Sequence, residues 1–155
     1  MMKKYLLMLL VLLFSNHVIS QEINHKSIIG KWKVVKVLKK VDIPNLQDIV
    51  KSFSTATFDF KENSDFKLTT ADDSKLFSMV TAMTNSSKWK LNKNTFVVNV
   101  GNQSDGYNIL KIIITEVNGK TIFHLSETEL DLEVQKKKKK LRATANLRYV
   151  VQSAK

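Results

Sequence analysis

Across residues 28–151 the chain is a succession of short runs in which apolar side chains recur at every second position. That period places apolar groups on one face of an extended strand and polar groups on the other. Residues 28–40 form the first run. Trp32 and Val34 share one face, Val35 and Val37 the other, and this change of phase predicts a bulge. In 55–61, Ala56, Phe58 and Phe60 lie on one side; residues 62–65 are turn-forming, and Phe66, Leu68 and Thr70 return as a hairpin partner. Further strands are predicted at 88–91 with Trp89, at 95–100 with Phe96, Val98 and Val100, and at 107–117. Others follow at 121–125 and at 130–134 with Leu130, Leu132 and Val134. Asn118-Gly119 is a strong two-residue hairpin signal. Leu141, Ala143, Ala145, Leu147, Tyr149 and Val151 alternate as a ninth strand.

Two segments follow helical spacing instead. Leu46, Ile49, Val50 and Phe53 predict a helix over 45–53, entered through Pro44 and capped by Asn45 and Asp48. Leu76, Met79, Val80 and Met83 predict a second over 74–83, with Asp73 or Ser74 as cap and the four side chains as its core face. Many short strands in sequential order, with two short helices, predict an all-β fold: an antiparallel up-and-down β-barrel of eight or nine strands.

The first 20 residues follow another pattern. Lys3 and Lys4 precede an unbroken apolar stretch over 5–14, and Val18-Ile19-Ser20 stands before Gln21. This order predicts a signal peptide over 1–20 and a single domain over 21–155, secreted or periplasmic. The apolar stretch is shorter than the roughly 18 residues a membrane helix needs, so no transmembrane segment is expected after signal removal. The chain has no cysteine, which excludes disulfides, thiolate metal sites and a lipid-attachment cysteine.

The formal net charge is +11, of which the signal segment carries only Lys3 and Lys4. Arg142 and Arg148 are the only arginines, whereas nucleic-acid readers lean on that side chain, so no nucleic-acid partner is expected. The charge favours solubility and weak attraction to an anionic envelope surface. The lysine run over 136–140 reads as a solvated strand end, with an anion-binding patch as the alternative.

Gly30-Lys31-Trp32 on the first strand, followed by a helix and a meander, resembles the lipocalin-like domains of the calycin superfamily, as secreted by Bacteroidetes-type bacteria. The likeness spans residues 28–151. It implies that Gly30 and Trp32 close one barrel end and that a basic residue from near the C-terminus, by position Arg142 or Arg148, packs on the Trp ring. A C-terminal Arg-x-Tyr carboxylate site, as in fatty-acid-binding proteins, is not matched, because Arg148 and Tyr149 are adjacent.

Candidate chemistry is sparse. Of the three histidines, His17 leaves with the signal, His25 lies in a start expected to be unstructured, and His124 sits on a strand without an evident catalytic partner. Glu129, Asp131 and Glu133 share a face opposite Leu130, Leu132 and Val134, so they are expected to point to solvent beside loosely paired lysines. No catalytic residue, metal site or cofactor is predicted. Phe58, Phe60, Phe66, Trp89, Phe96, Tyr107 and Phe123 are the candidate ligand-binding residues, as possible lining of the barrel interior. An eight-strand barrel either fills with side chains or holds one small ligand. The first alternative gives an interaction protein that contacts an envelope component or protein partner through its surface. The second, which is the leading expectation, gives a non-catalytic binding protein for a small apolar or amphipathic ligand.

Overall fold

Eight antiparallel strands form one sheet that curls until its two edges meet. The computed structural model describes residues 23–39, 47–72 and 74–138. The signal segment, the ninth strand expected over 141–151, Arg142 and Arg148 lie outside the described residues. In chain order the elements are α1 (His25–Ile28), β1 (Gly30–Lys39), α2 (Gln47–Ser54), β2 (Thr57–Phe60), β3 (Phe66–Thr69) and α3 (Lys75–Thr84). They continue with β4 (Lys88–Asn92), β5 (Val97–Gly101), β6 (Leu110–Val117), β7 (Lys120–Leu125) and β8 (Leu130–Lys136). The strand order is β3-β2-β1-β8-β7-β6-β5-β4. The architecture is the expected all-β up-and-down barrel, nearly closed.

The phase change in β1 is a real irregularity. Its pairing with β8 shifts between Val34 and Lys36 and again between Val37 and Lys39. Val34 is buried, Val35 is skipped and half-exposed, and Val37 packs on the core again. A bulge lets one strand bend without surrendering its apolar face.

The seam between β3 and β4 is closed at one end only. A single bridge pairs Asp65 with Lys88. Phe66 N donates to Ser87 O at 3.0 Å, and Trp89 N donates to Ser64 O at 2.8 Å. Further along, the Asn85 side-chain oxygen, just beyond α3, takes the Leu68 N–H at 2.8 Å in place of a strand partner. An otherwise orphaned edge amide is thereby satisfied. The Lys88 and Asn63 side chains hydrogen-bond the Asp65 carboxylate and hold it below the usual carboxylate range.

α2 buries Ile49, Val50 and Phe53, as its spacing predicts. α3 corrects the expectation for its core face. Leu76, Met79 and Met83 are exposed, whereas Phe77 and Thr84 are buried and Val80 is half-buried. Phe77, Val80 and Thr84 form a second stripe at the same helical spacing. The Phe77 ring meets Phe53 edge-on with centroids 5.1 Å apart, and Thr84 satisfies its hydroxyl on Val80 O at 2.9 Å. Burial of the larger ring decides which stripe turns inward. α1 is a further correction: the N-terminal stretch expected to be unstructured forms a single turn, closed by a reciprocal Asn24–Ser27 capping box.

The barrel interior is filled. Phe58, Phe60 and Phe123 are fully buried, Phe66 is 1 % exposed and Trp89 2 %. Their ring centroids lie 5.3–6.4 Å apart in tilted and edge-on contacts. Leu68, Val98, Val100, Ile112, Leu125, Leu130 and Leu132 pack around them with no accessible surface. A void large enough for water would leave accessible surface on its walls, so these residues adjoin none.

Phe123→Ala is expected to cost about 3–5 kcal/mol of stability in urea unfolding. At the seam, Asp65→Asn is expected to lower the unfolding midpoint at neutral pH. The difference from the parent should vanish as pH falls below 3.8 and through the lowered native value, because a depressed carboxyl pKa stabilises only while the group is ionised.

Candidate functional site

Gly30, Trp32 and Lys136 meet at one barrel end, below α1. β1 brings Trp32 opposite Phe58 on one side and Lys136 on the other. The Trp32 indole N–H donates to the Ile28 carbonyl at 2.7 Å, fixing the ring under the last residue of α1. The other ring edge leans on Phe123, with centroids 5.5 Å apart. Trp32 is half-buried and packs against the core rather than within it.

Among the described residues, the cation set against the Trp32 ring is that of Lys136. Its ammonium lies 5.3 Å from the Trp32 ring centroid and donates to Ser27 O at 2.6 Å. A cation over an indole face is favourable, and the carbonyls near a helix end attract it further. Among the described residues no carboxylate pairs with it. Partial burial, uncompensated by a counter-ion, lowers its pKa from the ordinary 10.5. The lysine run is therefore not uniform: its first member, though exposed at the strand end, also makes a structural contact.

Gly30 makes this contact possible. Its φ is +129°, and an added Cβ would stand 3.0 Å from Lys136 Cε. The glycine supplies a backbone conformation that side chains disfavour and the space through which Lys136 reaches the ring. At the other side of α1, His25 stacks on Trp89 with centroids 4.5 Å apart and planes 17° from parallel. Trp89 in turn donates to Lys61 O at 2.9 Å. One helical turn thus rests on the two tryptophans of the chain.

Beside this corner an open groove of about 1010 Å³ crosses the barrel rim. Ile28, Trp32, Ile114 and Val134 form its apolar floor, and Glu116 and Lys136 stand among its polar walls. Lys120 and Glu133, also in the wall, pair at 3.1 Å. Glu116, Lys120, Glu133, Lys136 and Lys138 ring the apolar lining, so the groove offers both apolar and charged contacts.

The aromatic candidates divide. Phe58, Phe60, Phe66, Trp89 and Phe123 are brought together inside the barrel. Phe96 and Tyr107 are not among them. Phe96 is 40 % exposed in the β4–β5 turn with φ +53°, and half-buried Tyr107 lies in the loop before β6 with φ +59°. A left-handed backbone breaks strand alternation, so neither side chain continues the inward face of its predicted strand. The three acids also separate. Glu129 stands in the β7–β8 turn beside Lys39 at 3.3 Å, Asp131 meets His124 at 2.6 Å, and Glu133 has Lys120. Among the described residues no group of three or more His, Asp or Glu side chains is arranged to hold a metal ion. No helix among them is long and apolar enough to cross a membrane.

Strand period gives Lys136 the phase of buried Leu130, Leu132 and Val134, although its own side chain is exposed where β8 reaches the rim. The contact of His25 with Trp89 has no counterpart in spacing. Comparison with family models, curated proteins and solved structures finds no match.

Gly30→Ala is expected to destabilise the chain by about 1–3 kcal/mol, read by thermal or urea unfolding, since strain and crowding add. Lys136→Met tests the corner by pH. The unfolded chain holds the Lys136 proton more tightly than the folded one. The contribution of this group to stability therefore rises as pH climbs through the lowered native pKa toward 10.5. The parent should show this rise relative to Lys136→Met across alkaline pH.

Proposed function

We propose that the chain is an exported, non-catalytic interaction protein, a filled barrel that engages an envelope component or protein partner through the rim groove at Trp32 and Lys136. The observation that carries this reading is the contrast between interior and rim. The rings that a small ligand would have to touch inside the barrel already touch one another. At the rim, half-buried Ile23 and Trp32 and exposed Val35 give the groove accessible apolar lining instead, with Ile28, Ile114 and Val134 buried beneath it. The signal-like order of residues 1–20 supports export. A binding protein with an interior ligand is the competing reading, and it requires Phe58 and Phe123 to move apart.

Two measurements separate these readings. N-phenyl-1-naphthylamine titrated into the protein is expected to show no saturable one-to-one fluorescence rise; saturable binding that Phe123→Ala alters would favour the interior ligand. A photo-cross-linking residue at Gln135, in the groove wall, is expected to give a discrete adduct in the producing cell, and the same probe at exposed Lys67 on β3 is not. Equal yields at both positions, or none at Gln135, would remove the groove from consideration.

A further inference from the structure

A second basin lies on the outer face of β4, β5 and β6, away from the rim groove, and its chemistry is different. Strand register sets Lys90 opposite Asn99 and Asn99 opposite Lys111, so a Lys-Asn-Lys row crosses three strands. Neighbouring strands are about 4.8 Å apart, which places the two lysine backbones roughly 10 Å from each other. The basin holds about 610 Å³, and its lining has three lysines, Lys93 being the third, and no carboxylate among the described residues. The nearby Glu127 turns both oxygens to the Lys111 backbone N–H, each at 3.1 Å. Like charges gathered without a counter-ion oppose one another, and an anion placed between them removes that cost.

Tyr107 closes the basin, and a dedicated loop aims it. Gly106 and Tyr107 are both left-handed, with φ of +67° and +59°. For a bulky residue that backbone is uncommon and persists only where its surroundings enforce it. Here they do. The Asp105 carboxylate accepts from Asn102 N at 2.8 Å, Tyr107 N at 3.0 Å and Asn108 N at 3.4 Å. Gly101 is crowded against the same carboxylate and the Tyr107 backbone, so that a Cβ would lie 2.5 Å from Asp105 Oδ1 and 2.8 Å from Tyr107 Cα. The ring that results faces the Lys90 ammonium at 6.0 Å.

We propose that this basin binds an acidic carbohydrate, a sugar ring bearing a carboxylate or sulfate. A tyrosine face suits the C–H face of a pyranose. The amides of Asn99 and Asn108 each offer a donor and an acceptor, as neighbouring sugar hydroxyls require. The lysines meet the anionic group. The Tyr107 ring and the cationic, amide-lined floor lie on the face of these strands opposite the buried core.

The test is titration of the whole protein, followed by NMR and calorimetry, with tetragalacturonate, a heparin tetrasaccharide, maltotetraose, tripolyphosphate and a thymidylate tetramer. At least one of the two acidic sugars should bind and shift the amide resonances of Asn99, Tyr107 and Lys111. Which one binds better identifies carboxylate or sulfate as the anionic group. Neutral maltotetraose should bind at least tenfold more weakly. Tyr107→Gly suits the left-handed backbone and should leave the fold intact by circular dichroism, yet weaken the acidic sugar at least tenfold. Lys90→Gln with Lys111→Gln should weaken it and flatten its salt dependence. Failure of both acidic sugars to bind overturns the proposal. So does tripolyphosphate binding as tightly as the sugars and unaffected by Tyr107→Gly, which would reduce the basin to simple anion attraction. Tighter binding of the thymidylate tetramer, lost in Tyr107→Gly, would assign it to nucleic acid instead.

Discussion

Phe123 touches Trp32, Phe58 and Phe60 at ring-centroid distances of 5.5, 5.5 and 6.1 Å. One side chain on β7 therefore joins the rim corner to the interior and to the hairpin of β2 and β3 on the other side of the barrel. A chain without cysteine has no covalent brace, so its cohesion must come from burial of this kind. The same packing leaves the interior without room. With its rings interlocked inside, the barrel leaves its rim and its outer face as the surfaces exposed to solvent.

Closure of the sheet poses a related problem, because β3 and β4 meet over one bridge only. An open edge would expose unpaired amides. Three devices cover it: the Asp65–Lys88 pair, the Asn85 amide standing in for a strand, and α3 with Phe77 pressed on Phe53. The helix turned toward the gap presents its ring-bearing stripe, which leaves Leu76, Met79 and Met83 outside. Two stripes at the same spacing compete on one helix, and only the surface it meets can select between them.

Charge is organised by place more than by sum. At the rim a single lysine lies on an indole, held by a carbonyl and slightly desolvated. Along β7 and β8 the acids are distributed among separate partners. On β4 to β6 lysines gather with amides and without acids. Unequal surroundings of this kind distinguish surfaces that a net charge of +11 would treat alike.

The sequence by itself determined the up-and-down succession of antiparallel strands and the hairpin at Asn118-Gly119, because a period of two and a tight Asn-Gly turn are local properties of the chain. It also carried the β1 bulge, whose phase change is written in Trp32, Val34, Val35 and Val37. Tertiary structure decided what spacing cannot encode. It closed the barrel around interlocked rings and chose Phe77 over Met79 as the buried face of α3. It moved Phe96 and Tyr107 out of the strand pattern through left-handed backbones. It drew Lys136 onto Trp32 through the gap left by Gly30, a contact between residues more than a hundred positions apart. These outcomes depend on which surfaces compete for the same volume, and that competition exists only once the chain has folded.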